Sequence, residues 1–250
     1  MIKLKNKEQL ALMKEAGRIT GEVLYAAGQR VKEGISTKEL DTFIREFIER
    51  HGAKPTFLGY GGFPGSACIS INEQVIHGIP SERIILREGD IVKIDVGASY
   101  KGFTGDSACT FPVGNVSAEA KRLIEVTRES FYRGAANAVP GKRIGDIGAA
   151  IEAHVTENSF SVVRSYVGHG VGHELHEDPE VPNYGTAGKG VRLCSGMTIA
   201  IEPMVNAGGY GVRTLPDKWT VVTVDGSLSA HYEHTVAITD DGPLLLTKVC

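Results

Sequence analysis

The chain has 250 residues and a formal net charge of -3, with 42% hydrophobic and 23% charged residues. That balance is ordinary for a globular protein with a sizeable core, and it excludes fibrous and low-complexity classes. It gives no electrostatic basis for a nucleic-acid or membrane surface. The opening MIKLKNKEQL is too polar for a secretion signal, and no apolar run approaches a membrane span. Cys68, Cys109, Cys194 and Cys250 lie far apart with no CxxC pair, which fits reduced, mostly buried thiols and a cytoplasmic location rather than a disulfide framework or a thiolate zinc site.

In chain order, Asn6 with Gln9 forms a capping pair ahead of a helical stripe of Leu10, Met13, Ile19, Val23 and Leu24. Ser36 with Glu39 reads as a capping box, followed by Leu40, Phe43, Ile44, Phe47 and Ile48 at helical spacing and closed by Gly52. Val92, Ile94 and Val96 predict a strand, and a turn at Tyr100–Lys101 returns the chain as its hairpin partner. A third helix is expected from Ser117 to about Ala138, and a fourth carries Ile144, Ile147, Ile151 and Val155. Beyond these, TIAIEPMV is an apolar strand, and Asp225–Gly226 predicts a hairpin joining WTVVTV to SAHYEHTVAI.

This order repeats. With a shift of 107 residues, Tyr25 falls on Tyr132, Gly34 on Gly141, Leu40 on Ile147, Ile44 on Ile151, Gly89 on Gly196, and Asp95 on Glu202. Each half reads helix, helix, strand, with an acid at the same point of its strand. The expectation is an α+β chain forming one catalytic domain over 1–250, with related halves at about 7–112 and 117–240. A pseudo-twofold axis would then bring Asp95 and Glu202 together.

The acids sit where a core would exclude them. With the turn at Tyr100–Lys101, Asp95 lies directly opposite Asp106, an arrangement of like charges that a divalent cation would relieve. Glu202 in TIAIEPMV and Glu233 in SAHYEHTVAI have similar apolar flanks. Any one of these alone reads as a solvated edge residue; four together favour a shared site. In YVGHGVGHELHEDP, Gly170 and Gly172 argue against a helical HxxxH zinc pair and for a loop that brings backbone to a ligand, with some of His169, His173 and His176 as ligands. Four carboxylates with one imidazole suit manganese, iron or cobalt, and their charge balances two divalent ions. Such a pair lowers the pKa of a shared water and polarises a carbonyl, which is hydrolytic chemistry.

CISINEQVIHGIP, IDVGASYKGFTGDSACTF, YVGHGVGHELHEDP, IAIEPMV and AHYEHTV, in this order, resemble type I methionine aminopeptidases of the bacterial form, across essentially the whole chain. The resemblance implies the pita-bread (creatinase/aminopeptidase) fold, with two pseudo-twofold-related helix-helix-strand halves around a central curved antiparallel sheet. It implies that Asp95, Asp106, His169, Glu202 and Glu233 hold two divalent ions, with Asp106 and Glu233 bridging, Asp95 completing one site, and His169 and Glu202 the other. Glu202 would also act as general base toward the bridging water, His176 would donate to the carbonyl oxygen, and His77 would hydrogen-bond near the scissile amide. Tyr60, Phe63, Cys68, His77, Leu175, His176 and Trp219 match the methionine pocket and its rim. Leu175, where relatives often carry an aromatic, and Phe57 and Gly61 depart from the family pattern.

The implied activity is removal of the initiator methionine from nascent proteins when the second residue is small. The implied partners are those N-termini and, transiently, the ribosome; a monomer is expected, with no nucleic-acid or membrane partner. Because Ile2 is bulky and β-branched, the enzyme is expected to keep its own Met1. Three other readings stand beside this one. The first is an Xaa-Pro aminopeptidase or prolidase-like hydrolase, whose usual N-terminal domain has no room here. The others are an inert binding protein of the same fold and a protein with a single regulatory metal.

Overall fold

The computed structural model describes residues 1–249; Cys250, to which the sequence assigns no role, lies outside them. Helix starts follow local hydrogen-bond chemistry. The Asn6 side chain accepts from the Gln9 amide and the Gln9 side chain accepts from the Asn6 amide, and α1 (Lys7–Gly28) runs from this reciprocal cap. Ser36 and Glu39 do the same for α2 (Thr37–Arg50), which Gly52 closes at φ 70°. Ser117 caps α3 (Ala118–Ala135), which stops three residues short of the expected Ala138. The fourth helix, α4 (Ile144–Glu157), starts and ends 107 residues after α2.

The first half contributes β1 (Lys54–Pro55), β2 (Ala67–Ile71), β3 (Gln74–Ile76), β4 (Ile91–Tyr100) and β5 (Phe103–Pro112). The second contributes β6 (Ser161–Val162), β7 (Gly168–Gly170), β8 (Glu177–Val181), β9 (Thr198–Ile201) and β10 (Met204–Asn206). It continues with β11 (Val212–Thr214), β12 (Val221–Thr223), β13 (Ser229–His231), β14 (His234–Thr239) and β15 (Gly242–Leu245). Every ladder among the described residues is antiparallel. β4 pairs with β1, β2 and β5; β14 and β9 lie between β15 and β7; β10 lies between β13 and β6. No helix among the described residues is long and apolar enough to cross a membrane.

Two apolar clusters separate the helices from the inner face of the sheets. Val92, Ile94 and Val96 of β4 pack with Ile19 of α1 and with Leu40 and Ile44 of α2. Ile199 and Ile201 of β9 pack with Leu123 and Phe131 of α3 and with Ile147 and Ile151 of α4. Side chains alternate along a strand, and Asp95 therefore points away from the helices, between two residues that point toward them. α1 lies close enough to β5 that a Cβ on Gly105 would come within 2.8 Å of the Gly17 Cα.

Two sequence expectations are corrected. The β4–β5 turn is Lys101–Gly102, with φ 47° and 81°, one residue later than Tyr100–Lys101. Positive φ at both turn residues is the two-residue hairpin geometry that follows strand twist, and Gly102 meets it without steric cost. Asp95 therefore pairs with Ala108 and Asp106 with Gly97. The two carboxylates are diagonal neighbours, and because the partner moves by two residues they stay on one face. The hairpin expected around Asp225–Gly226 does not form. β12 pairs with β11 and with β3, while β13 pairs with β10. The Asp225 carboxylate accepts from the Gly209 and Ser227 amides and ties this loop to the one after β10.

Candidate metal centre

The halves meet along a seam between β5 and the β13–β14 segment. Ala108 and Glu233 exchange both backbone hydrogen bonds, at 2.9 and 3.3 Å. Threonine hydroxyls extend the ladder on either side. Thr235 Oγ1 accepts from the Asp106 amide and donates to the Asp106 carbonyl, each at 2.9 Å. Thr110 Oγ1 donates to the His231 carbonyl and accepts from its amide. This clamp sets Asp106, from the first half, beside Glu233, from the second.

Glu202 and Glu233 occupy interruptions rather than strands. The pairings of Ile201 with His234 and of Met204 with His231 leave Glu202–Pro203 facing Tyr232–Glu233 in the gap between two sheets. Pro203 has no amide hydrogen for a ladder, which suits it to such a break. The Asn183 side-chain amide donates to the Glu202 carbonyl at 3.0 Å and holds the bend.

His169 completes the cluster from β7, whose glycines let the strand pack tightly; a Cβ on Gly168 would sit 2.3 Å from the Ala200 carbonyl oxygen. Its Nδ1 lies 2.8 Å from the Gly170 carbonyl, so Nδ1 carries the proton and Nε2 offers a lone pair. That nitrogen is 3.5 Å from Glu202 Oε1 and 3.6 Å from Asp106 Oδ2. Single donor atoms of Asp106, His169 and Glu233 all lie within 4.8 Å of one another. Asp95 Oδ1, Asp106 Oδ1 and Glu233 Oε1 are buried without a hydrogen-bond partner.

Burial makes the charged forms costly. It drives the Asp106 carboxyl up to about 7. Asp95, Glu202 and Glu233 rise well above the carboxylate range through burial, each augmented by the charge of Asp106, and Glu202 and Glu233 also by that of Asp95. Burial also lowers His169 to about 4, which keeps its imidazole neutral and able to ligate. Oxygen atoms without partners, converging with one imidazole lone pair, are a donor set that fits a hard divalent cation.

A cavity of roughly 160 Å³ opens from the cluster. All five ligand candidates line it, as do the seven residues read from sequence as the pocket and its rim, Tyr60, Phe63, Cys68, His77, Leu175, His176 and Trp219. Its apolar end is the packing of Phe57, Phe63, Cys68 and Leu175 with Ile79 and Trp219. Cys68 pairs with Asp95 across β2 and β4, and burial holds its thiol well above the usual range, so it stays protonated. His77, at φ 58° after β3, is lowered to about 4 by burial and by the charge of His176. His173 points elsewhere: its Nδ1 meets the Gly102 carbonyl and its ring packs on Phe103. Among the cysteines, Cys68 is buried, Cys109 half-buried and Cys194 exposed, all free.

The sequence reading left two residues out of the site. Phe57 stood out as a departure from the family pattern without being placed in the pocket, which it lines. His231 is buried, with Nε2 at 3.7 Å from Glu202 Oε2 and 4.0 Å from Glu233 Oε2. Its signal was in AHYEHTV, where two-residue spacing puts His231 and Glu233 on one side of an extended segment.

Comparison with known proteins decides the family. The model for metallopeptidase family M24 matches residues 11–240. The chain belongs to metallopeptidase family M24. It is 54% identical over its whole length to methionine aminopeptidase 1 of Bacillus subtilis and to a methionine aminopeptidase of Clostridium perfringens, covering all of each relative. Among solved structures it superposes on a methionine aminopeptidase from Thermotoga maritima with a TM-score of 0.98 and 45% identity, each chain fully covered. A prolidase from Pyrococcus furiosus follows the same fold at TM-score 0.79 and 26% identity, with 66% of that chain covered. The M24 chain therefore has the α+β pita-bread fold that the resemblance implied, and membership makes it a metallopeptidase dependent on divalent metal ions.

Proposed function

We propose that this M24 enzyme is a methionyl aminopeptidase that removes the N-terminal methionine of polypeptides whose second residue is small. The observation that carries the reading is the abutment of the apolar pocket, formed by Phe57, Phe63, Cys68, Leu175 and Trp219, on the carboxylate–imidazole cluster. A flexible thioether suits such a pocket, and an aliphatic Leu175 leaves it without an aromatic wall on that side.

Asp95, Asp106, His169, Glu202 and Glu233 would hold two divalent ions, with Asp106 and Glu233 shared between them. The oxygen-rich donor set favours manganese, iron or cobalt over a structural zinc. When bound, such ions supply a water of lowered pKa and polarise the scissile carbonyl. The protein's own groups do the rest. Glu202 takes a proton from the water, His176 donates a hydrogen bond to the carbonyl oxygen as it gains charge, and His77 orients the scissile amide. The substrate's amino group enters neutral.

The same reading takes the chain as one catalytic domain of two related halves, acting as a monomer in the cytoplasm and meeting nascent chains at the ribosome. The deciding experiment is hydrolysis of Met-Ala-Ser and Ala-Pro-Ser by metal-stripped protein titrated with manganese. Methionine release that appears with metal, and only from the first peptide, is expected. Cleavage of the proline peptide alone would assign prolidase-like activity instead, and cleavage of neither, with iron and cobalt also supplied, would favour an inert binding protein.

A further inference from the structure

A neutral imidazole carries one N–H, and which nitrogen holds it is set by the partner of the other. His176 has one ring partner among the described residues: the Tyr60 hydroxyl, 2.7 Å from Nδ1, with the two rings 5.3 Å apart. On its other side the ring stands 4.3 Å from that of His169, edge to face.

Tyr60 is not held there by a loose loop. The Tyr60 amide donates to the Phe57 carbonyl and the Phe63 amide to the Tyr60 carbonyl, at 3.0 and 2.9 Å, and the Gly59 amide closes the turn on the Phe63 carbonyl. Phe57 and Phe63 anchor both ends in the pocket wall, at 7% and 3% exposure, while Tyr60 between them is 43% exposed. Gly59 and Gly62, at φ 82° and 92°, make the turn tight enough to carry the phenol over the cavity mouth.

We propose that Tyr60 is a positioning residue: its hydroxyl donates to His176 Nδ1 and thereby fixes the Nε2–H tautomer, which aims a hydrogen-bond donor into the cavity. The direction of the bond follows from chemistry, since an imidazole nitrogen accepts far better than a phenol oxygen. Burial raises Tyr60 above its ordinary value, so the phenol keeps the proton it donates. The opposite tautomer would leave a lone pair on Nε2 and make His176 a candidate ligand rather than a donor. This inference rests on the proposed role of His176 as donor to the carbonyl oxygen.

Two-bond proton–nitrogen correlation spectra of the metal-free protein, and of protein loaded with zinc as a diamagnetic ion, read the tautomer directly. His176 is expected as Nε2–H in the wild type and as a mixture in Tyr60→Phe. With manganese and Met-Ala-Ser, Tyr60→Phe should lower kcat in proportion to the Nε2–H population it loses, about twofold for an equal mixture, while KM stays unchanged. In a His176→Ala background the same change should cost nothing more. An Nδ1–H tautomer in the wild type, an effect on KM alone, or additive losses would overturn the proposal. An undiminished kcat in His176→Ala would overturn the donor reading itself and the positioning role with it; the two failures are distinguishable, because the first leaves His176→Ala impaired.

Discussion

His169 Nε2 lies 3.6 Å from Asp106 Oδ2 while its other ring nitrogen is turned onto the Gly170 carbonyl. Backbone thus decides which lone pair faces the carboxylates before any cation arrives. A chain carbonyl at this position raises ligand basicity and fixes ring orientation. Replacing His169 with Gln, which keeps a polar group of similar reach, should weaken manganese binding by at least tenfold in calorimetric titration.

Asp106→Asn removes the charge proposed to be shared between two ions. Metal affinity should fall more steeply than for His169→Gln, and activity should be lost with it. The metal-free variant should nonetheless melt no lower than the wild type, since a buried negative charge is gone. Wild-type activity in Asp106→Asn would break the shared-carboxylate assignment.

pH dependence in the metal-free state has a definite sign. A carboxyl whose folded pKa is raised binds more protons folded than unfolded, so its contribution is complete below the unfolded value and is lost as pH rises through the folded one. For Asp106 that window runs from 3.8 to about 7, and Asp95, Glu202 and Glu233 shift in the same direction. Chelator-treated protein should therefore melt at progressively lower temperature as pH rises from about 4 to about 7, and the rise in Tm on adding metal should grow over the same span.

His176→Ala should retain metal but lose kcat, by about ten- to a thousand-fold, as for removal of one oxyanion donor. Loss of metal with that substitution, read by elemental analysis, would make His176 a ligand.

Lys5 and Glu177 form an ion pair at 2.6 Å with both side chains 4% exposed, and Glu177 also accepts from the His173 amide on the turn that carries Leu175 and His176. Burial opposes ionisation of Glu177, but the Lys5 hydrogen bond and charge outweigh it and hold the carboxyl below its usual range. Lys5→Met leaves that buried carboxylate only the more distant Lys3 ammonium, at 3.9 Å, as a cationic partner and should cost about 3 kcal/mol in urea unfolding, with partial recovery in Lys5→Met/Glu177→Gln.

Much of the site was readable because its residues break local rules. Asp95 amid β-branched neighbours, and glycines around His169, contradict ordinary strand and helix chemistry, and such contradictions mark function. Capping boxes at Asn6 and Ser36 were legible because each is complete within four residues. The β4–β5 turn was misplaced by one residue, yet side-chain parity carried Asp95 and Asp106 to the same face. Long-range pairing was not legible: nothing local tells β12 to join β3 rather than β13, and Asp225–Gly226 satisfies turn preferences equally well in a loop tied to Gly209. His231 and Phe57 escaped for a related reason, since each acquires its neighbours only when distant segments meet.

The seam between β5 and β14 has a consequence for how the enzyme matures. Asp95 and Asp106 come from one half, and His169, Glu202 and Glu233 from the other, so neither half alone owns the whole of the proposed coordination set. Closing so long a stretch of chain is among the slower steps of folding. On that proposed assignment a divalent ion is captured only once the two halves have docked, and from then on it fastens them together. Loss of the ion should loosen the seam before it disturbs either helical layer, and hydrogen exchange at Ala108 and Glu233 would register the release first.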